Sequence, residues 1–332
     1  MPSQQHTRDP APTPIRYLRR DEIDIVKWDA CIRTTPDGLV YALVFFLDAI
    51  TGGNWDALVL DDYAAVMPLT WKRKFGIAYL TQPLFCAVLG VFGRSAPAVL
   101  SEFLAAIPRR FRYWDIDLHE GNALSPPATS APAAIDPAFT GHSRRPKITI
   151  RKNYFLPLDK PYETLQKRYR RLARRMLHRA SAAQLSIERA VDPALVIDCH
   201  RKAYRHLYPD AGALQKLSVC ARVAFAQGNA TTYLARLPNR EIAAFYLVFL
   251  DERNVYSVLG GSTAAGKATG AFYLLTDAAI RDHCPGDRVF RFEGSDVPGI
   301  ALFNAQFGPY PVGYPHLTLN RLPFPINYLK PG

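Results

Sequence analysis

The chain has 332 residues, 48% apolar and 21% charged, with a formal net charge of +12. That is enough for two domains, each able to bury a core, and too apolar for a disordered chain. Its five cysteines (Cys31, Cys86, Cys199, Cys220 and Cys284) are odd in number and lack C-x-x-C spacing, which excludes a disulfide framework or a zinc site and reads as reduced thiols of a cytoplasmic protein.

Met1 to Pro14 is polar and proline-rich, the composition of a disordered tail and not of a secretory signal. The apolar run Gly38 to Ile50 is far shorter than the roughly 20 residues of a membrane span, so it predicts a buried helix behind the Pro36-Asp37-Gly38 turn. Strands are predicted at 55–60, 63–70 and 78–80, then a helix at 98–107 stopped by Pro108, then a strand at 112–118. Residues 123–147 are rich in Pro, Ala and Ser and then basic, and read as a linker or a hanging loop. Three helices follow. The first, 161–180, repeats Leu165, Tyr169, Leu172, Met176 and Ala180 on one face. The second opens on Asp192-Pro193, a capping residue and a first-turn proline, and ends near Pro209. The third spans about 213–227 and stops at Gly228. Strands at 231–237, 241–250 and 255–259, a helix at about 269–283 and a strand at 288–292 complete the pattern.

The two sides of the linker thus read alike: an antiparallel meander, a helix, another strand. The expectation is an α/β protein of two duplicated domains, residues 15–122 and 148–332, with mixed, mostly antiparallel sheets flanked by helices. A local echo supports it: Phe111-Arg112-Tyr113-Trp114 against Phe290-Arg291-Phe292-Glu293.

Charge is not evenly spread. Residues 144–179 hold thirteen Lys/Arg against Asp159 and Glu163, so nearly all the net charge sits there. Arg168, Arg171, Arg174, Arg175 and Arg179 on one helix read as a surface for phosphate groups, or as a solvated face; their mutual repulsion favours the first. An anionic or nucleotide-linked substrate fits it. The stretch lacks the interleaved aromatics of single-strand binders and the Trp/Phe face of a membrane helix, and no stable DNA complex is expected.

The segments Phe290-Arg291-Phe292-Glu293-Gly294-Ser295 and Gly299 to Gly308, followed by Tyr310-Pro311, resemble the end of FemAB-like proteins, tandem GNAT-fold enzymes that transfer amino acids from aminoacyl-tRNA to peptidoglycan precursors. They are equally similar to GNAT relatives associated with cellulose or exopolysaccharide biosynthesis, and the arginine-rich helix fits both. The resemblance implies a tandem GNAT fold and acyl or aminoacyl transfer to an amine or hydroxyl of an envelope or polysaccharide precursor, with acetyl-CoA or another acyl-CoA as co-substrate and no metal. Aminoacyl-tRNA is the alternative donor, and a non-catalytic anion-binding protein with an eroded site the alternative of another class. Two departures weigh against tRNA: Asn304 stands where FemAB proteins usually carry a lysine, and no coiled-coil arm is evident. Asn304 can only hydrogen-bond a substrate carbonyl.

Acyl transfer needs a phosphate cradle, an oxyanion donor, a base and an acid. The predicted cradle is the strand–helix junction with Val258, Gly260, Gly266, Lys267, Ala268, Thr269 and Gly270, matched by GNAT resemblance to Thr263-x-x-Gly266-x-Ala268; a plain chain reversal explains the glycines equally well. Glu293 is the first choice of base, Asp296 the second; Tyr310 and Tyr314 are acid candidates, against a reading of all four as rim or packing residues. Tyr256 faces either cleft or core. The neighbours Cys199-His200 and His283-Cys284 point about 100° apart on a helix and form no dyads. The first half lacks a Gly-rich junction and is expected to be non-catalytic.

Overall fold

The computed structural model describes residues 15–93, 96–122, 146–205 and 211–328. The N-terminal tail, most of the linker (123–145) and the predicted helix end near Pro209 lie outside the described residues.

The first half runs β1 (Arg16–Leu18), α1 (Ile25–Thr34), α2 (Val44–Thr51), β2 (Trp55–Leu60), β3 (Ala65–Lys74), β4 (Ile77–Thr81), β5 (Phe92–Gly93), α3 (Ala96–Ala106) and β6 (Phe111–Asp117). The second runs β7 (Lys147–Pro157), α4 (Tyr162–Gln166), α5 (Arg171–Ala182), β8 (Ser186–Arg189), α6 (Pro193–Ala203), α7 (Ala211–Ala226), β9 (Ala230–Arg236), β10 (Ile242–Leu250), β11 (Asn254–Ser262), α8 (Ala271–Asp282), β12 (Val289–Phe292), α9 (Pro298–Asn304) and β13 (Tyr310–Asn320). One sheet passes through both halves in the order β1-β2-β3-β4-β6-β13-β7-β12-β11-β10-β9-β8, with β5 beside β3.

The repeat is plain in the pairing. β2-β3-β4 and β9-β10-β11 are antiparallel meanders. In each half a helix then crosses over and returns a strand parallel to the third, β6 on β4 and β12 on β11. The echoed phenylalanines share a register: Phe111 lies opposite Ala78 and Phe290 opposite Val255, each the second residue of its partner strand. The fold is therefore the expected duplicated α/β architecture, a mixed, mostly antiparallel sheet flanked by helices.

Asp192 caps α6 by accepting from the Ala194 amide, with Pro193 in the first turn, as its sequence predicts. Three other expectations are corrected. The run 38–50 forms a 3-10 turn at 40–42 and then α2, so it is buried but not one helix. The basic helix 161–180 is broken at 167–170, because the Arg170 amide donates to the Gln306 carbonyl at 2.8 Å instead of continuing the helix. The segment of Tyr310 and Tyr314, whose prolines and glycines read as a C-terminal loop, is β13, an internal strand between β6 and β7. Its prolines fit there because the Pro315 carbonyl accepts from the Leu118 amide, on the β6 side. Pro311, four residues earlier, faces that same side, where β6 makes no ladder, so no bond to β7 is lost.

One apolar core crosses the boundary between halves. Tyr41 packs on Tyr256 with ring centroids 4.9 Å apart, and Phe46 on Phe249 at 5.7 Å. Tyr256 thus points into the core, where its hydroxyl donates to Asp251 and accepts from the Val40 amide. A second core lies under α5 and α8, a third under α3.

Candidate active site

β11 and β12 pair only over Asn254–Tyr256 and Val289–Arg291. Beyond Tyr256, β11 runs on to Ser262 on β10 alone, while β12 ends at Phe292. The two parallel strands therefore open into a wedge. A cavity of about 580 Å³ occupies it, walled by β11 (257–262), the start of α8, Glu293, the 297–304 segment, and His200 and Tyr204 near the end of α6. Its walls are mainly apolar and aromatic, among them Leu259, Phe272, Tyr273, Ile300 and Phe303, and Phe85 enters from the first half. Apolar walls with few polar groups are the ordinary make-up of a small-molecule site.

The matching place in the first half is closed. β4 and β6 stay paired through Leu80–Trp114 and Thr81–Asp115, and the Gln82 and Leu89 amides extend the contact to Asp115 and Asp117. Trp114, fully buried, stands where the echo puts Glu293.

Six predicted residues line the cavity: Val258, Gly260, Lys267, Gly270, Glu293 and Asn304. Gly270 sits at the N-cap of α8 with φ +80°, and with no side chain it leaves the first-turn amides of the helix uncapped. Gly266, Ala268 and Thr269 do not line it. The amides of Gly266, Lys267 and Thr269 bond within the turn. Gly266 is required for another reason: a Cβ there would collide with the Ala243 carbonyl of β10. Gly270 likewise abuts the Met176 carbonyl of α5, and Gly260 and Gly261 lie under the Phe272 and Tyr204 rings. These glycines serve close packing, and of the 263–270 turn it is Lys267 and the helix terminus at Gly270 that line the cavity.

Glu293 is largely buried, its side chain 8% exposed at the cavity wall. Asn153 donates to its Oε2 at 2.5 Å, the Tyr41 hydroxyl reaches Oε1 at 3.4 Å, and the Arg291 Nε stands 3.5 Å from Oε1. Arg291 is committed elsewhere: its two terminal nitrogens meet the Glu120 carboxylate at 2.6 and 2.9 Å, and its guanidinium lies 4.3 Å over the Phe155 ring. One buried cation thus serves two carboxylates. Burial raises the Glu293 carboxyl above its ordinary range, Arg291 and Asn153 opposing it and Glu120 adding to it. Glu120, itself partly buried, is nonetheless held below its range by Arg291. The shared cation thus leaves the two carboxyls shifted in opposite directions.

Asn304 spends its side-chain amide on its own loop, donating to the Ser295 hydroxyl at 3.1 Å and the Phe292 and Glu293 carbonyls at 3.3 and 3.4 Å. It shapes the end of β12. Asp296 and Tyr310 are not brought to the cavity. Asp296 accepts from the Lys152 amide at 3.0 Å and the Tyr314 hydroxyl at 2.7 Å, and Tyr310 is 48% exposed on β13 beside Phe155.

Arg171, Arg174 and Arg175 are exposed on α5, which packs along α8 with Met176 against Gly270. Arg174 donates to the Lys167 carbonyl at 2.7 Å. The Arg175 charge acts on Tyr273, a cavity residue. Among the described residues no carboxylate lies within ion-pair distance of the three.

Sequence reasoning missed His200, Tyr204, Tyr273, Asn153, Tyr41, Glu120 and Arg291. Burial against Tyr204 and Phe245 pushes the His200 imidazole down to about 4, so it faces the cavity uncharged at neutral pH. Its neighbour Cys199 gave a signal, but for a dyad. Among the described residues there is no group of three His, Cys, Asp or Glu able to hold a metal, and no helix long and apolar enough to cross a membrane.

No protein-family model and no curated protein sequence matches the chain. Solved structures do. FemX superposes with a TM-score of 0.62 at 12% identity, covering 92% of this chain and 98% of its own. The C-terminal domain of a putative lysylphosphatidylglycerol synthetase from Agrobacterium fabrum gives 0.52 at 11%, covering 92% and 94%. L-PGS from Bacillus licheniformis gives 0.50 at 13%, covering 92% and 95%. At such identity the likeness is one of fold, and it spans nearly the whole chain: the architecture is that of FemX.

Proposed function

We propose that the protein is an acyltransferase whose second half holds the site, taking an acyl group from an acyl-CoA thioester to an amine or hydroxyl of an envelope or polysaccharide precursor. The observation that carries this is the wedge between β11 and β12, open to the uncapped start of α8 and floored by the raised carboxyl of Glu293. Phosphates of the donor bind at the α8 N-terminus and to Lys267, where amides and a cation attract them. The acyl arm lies along the apolar wall. Glu293 takes the proton from the attacking amine as the new C–N bond forms. The thiolate leaves as the C–S bond breaks, and takes a proton from a wall hydroxyl, Tyr204 or Tyr273.

A second reading keeps the site and changes the donor to an aminoacyl ester on tRNA. The unpaired arginines of α5 beside the α8 start favour a polyanion and support it.

The deciding experiment is thermal unfolding with CoA or acetyl-CoA. Binding to the native state raises the midpoint. No shift at millimolar ligand removes the thioester donor; a shift only with charged tRNA selects the second reading.

A further inference from the structure

The hairpin of β3 and β4 has a tip that folding alone does not explain. Residues 72–74 pass beyond β2 and pair only with β4. The two-residue turn is Phe75-Gly76, both with positive φ, +50° and +76°. This is the geometry of a type I′ turn, where Asn-Gly is the favoured pair and a bulky aromatic is strained. Phe75 is 86% exposed, so it also gains no burial. A residue unfavourable for both turn and solvation is better explained by an apolar partner.

The surroundings say which partner. Lys72, Arg73 and Lys74 lead directly to the tip, all exposed, and among the described residues none of them has a carboxylate within ion-pair distance. A groove of about 540 Å³ runs from Phe75 past Trp71 and Arg73 to Arg110, Arg112 and Pro323. Next to Pro323, Phe324 is 80% exposed and packs edge-on against Tyr328, 75% exposed. Projecting aromatics ringed by Lys and Arg are what an anionic bilayer interface accepts, with the rings at the headgroup level and the cations on lipid phosphates. The arginine helix α5 carries charge without such aromatics.

We propose that the β3–β4 hairpin docks the protein on an anionic membrane surface, with Phe75 inserted and Lys72, Arg73 and Lys74 on headgroup phosphates. The inference does not rest on the acyl-transfer reading. The test is co-sedimentation of the full chain with vesicles of phosphatidylcholine, alone and mixed in equal parts with phosphatidylserine. Binding is expected only to the mixed vesicles. Phe75→Asn, which suits the turn and keeps every charge, should weaken it by about fivefold or more. The triple change Lys72→Gln, Arg73→Gln, Lys74→Gln should weaken it by about tenfold or more. Unchanged melting temperatures show that both variants fold. Arg171→Ala with Arg175→Ala separates the hairpin from α5. The proposal is overturned if the wild type ignores the mixed vesicles, if Phe75→Asn binds as the wild type, or if only the α5 variant loses binding. It is also overturned if the triple variant loses tRNA retention while vesicle binding stays intact, which assigns the patch to nucleic acid.

Discussion

Arg291 and Glu120 meet end-on across the boundary between the halves, with two nitrogen–oxygen contacts of 2.6 and 2.9 Å. Arg291 is buried and Glu120 keeps about a quarter of its side-chain surface. Removing one partner of a buried pair costs about 3–5 kcal/mol. Glu293 stays behind as a second, more distant partner of Arg291. Glu120→Gln should therefore lose less, about 2 kcal/mol, measured by urea unfolding at neutral pH. The same change frees Arg291 for Glu293 and removes a repelling charge. The carboxyl of Glu293 should then titrate lower, and the acidic limb of the pH–rate profile should move to lower pH. A profile that stays put separates the two carboxyls and leaves the pair a purely structural link.

Glu293→Gln should lower turnover by about 10²–10⁴-fold with little change in melting temperature, the range for a lost general base. On the proposed mechanism the charged carboxylate is the base, so the rate should rise as pH climbs through its raised value. Stability runs the other way. Between the ordinary carboxyl range and that raised value the folded state holds a proton the unfolded chain has released, so stability falls as pH rises. Glu120 has the opposite sign: its contribution is present above the ordinary range and lost as pH falls through its lowered value. Turnover of Glu293→Gln equal to the wild type removes Glu293 from the mechanism.

The meanders were legible because each strand is short, apolar and bounded by turn residues such as Asp61-Asp62 and Pro238-Asn239-Arg240. β13 was not, because Pro311, Gly313 and Pro315 are turn residues in any local reading; only the pairing with β6 and β7 shows that both prolines face away from β7, Pro315 at the end of the β6 ladder and Pro311 beyond it. The break in the basic helix was equally hidden, since the Gln306 carbonyl that causes it lies far along the chain. Glu293 was legible from its place at a strand end. Its partners Tyr41 and Asn153 were not, nor was Glu120, the partner of Arg291: they come from another strand and from the other half of the chain, and a sequence window sees none of those contacts.

Two glycines make opposite predictions. Gly266→Ala puts a Cβ into the Ala243 backbone, which cannot yield as a side-chain tip can. It should destabilise by about 2–3 kcal/mol and pull the 263–270 turn from β10. Gly299, in the first turn of α9, has open space around its missing Cβ. Gly299→Ala should be neutral or stabilising by up to about 1 kcal/mol, because a helical alanine restricts the unfolded chain. Thermal unfolding of the two variants side by side checks both. Equal effects would mean that the 263–270 turn is not pressed against β10.

If the proposed donor binds at the α8 start, the α5 arginines test it. Each lies on the solvent side of a helix that packs on the α8 start, and they carry charge without neutralisation. Such groups act on a bound anion before and during reaction alike, so their loss should raise KM and spare kcat. For Arg171→Ala with Arg175→Ala the expected rise is about tenfold, from two exposed charge contacts of roughly 0.5–1 kcal/mol each, and it should shrink as salt is added. A fall in kcat at unchanged KM would place these arginines on the reacting group, and no change in either would leave them a solvated face.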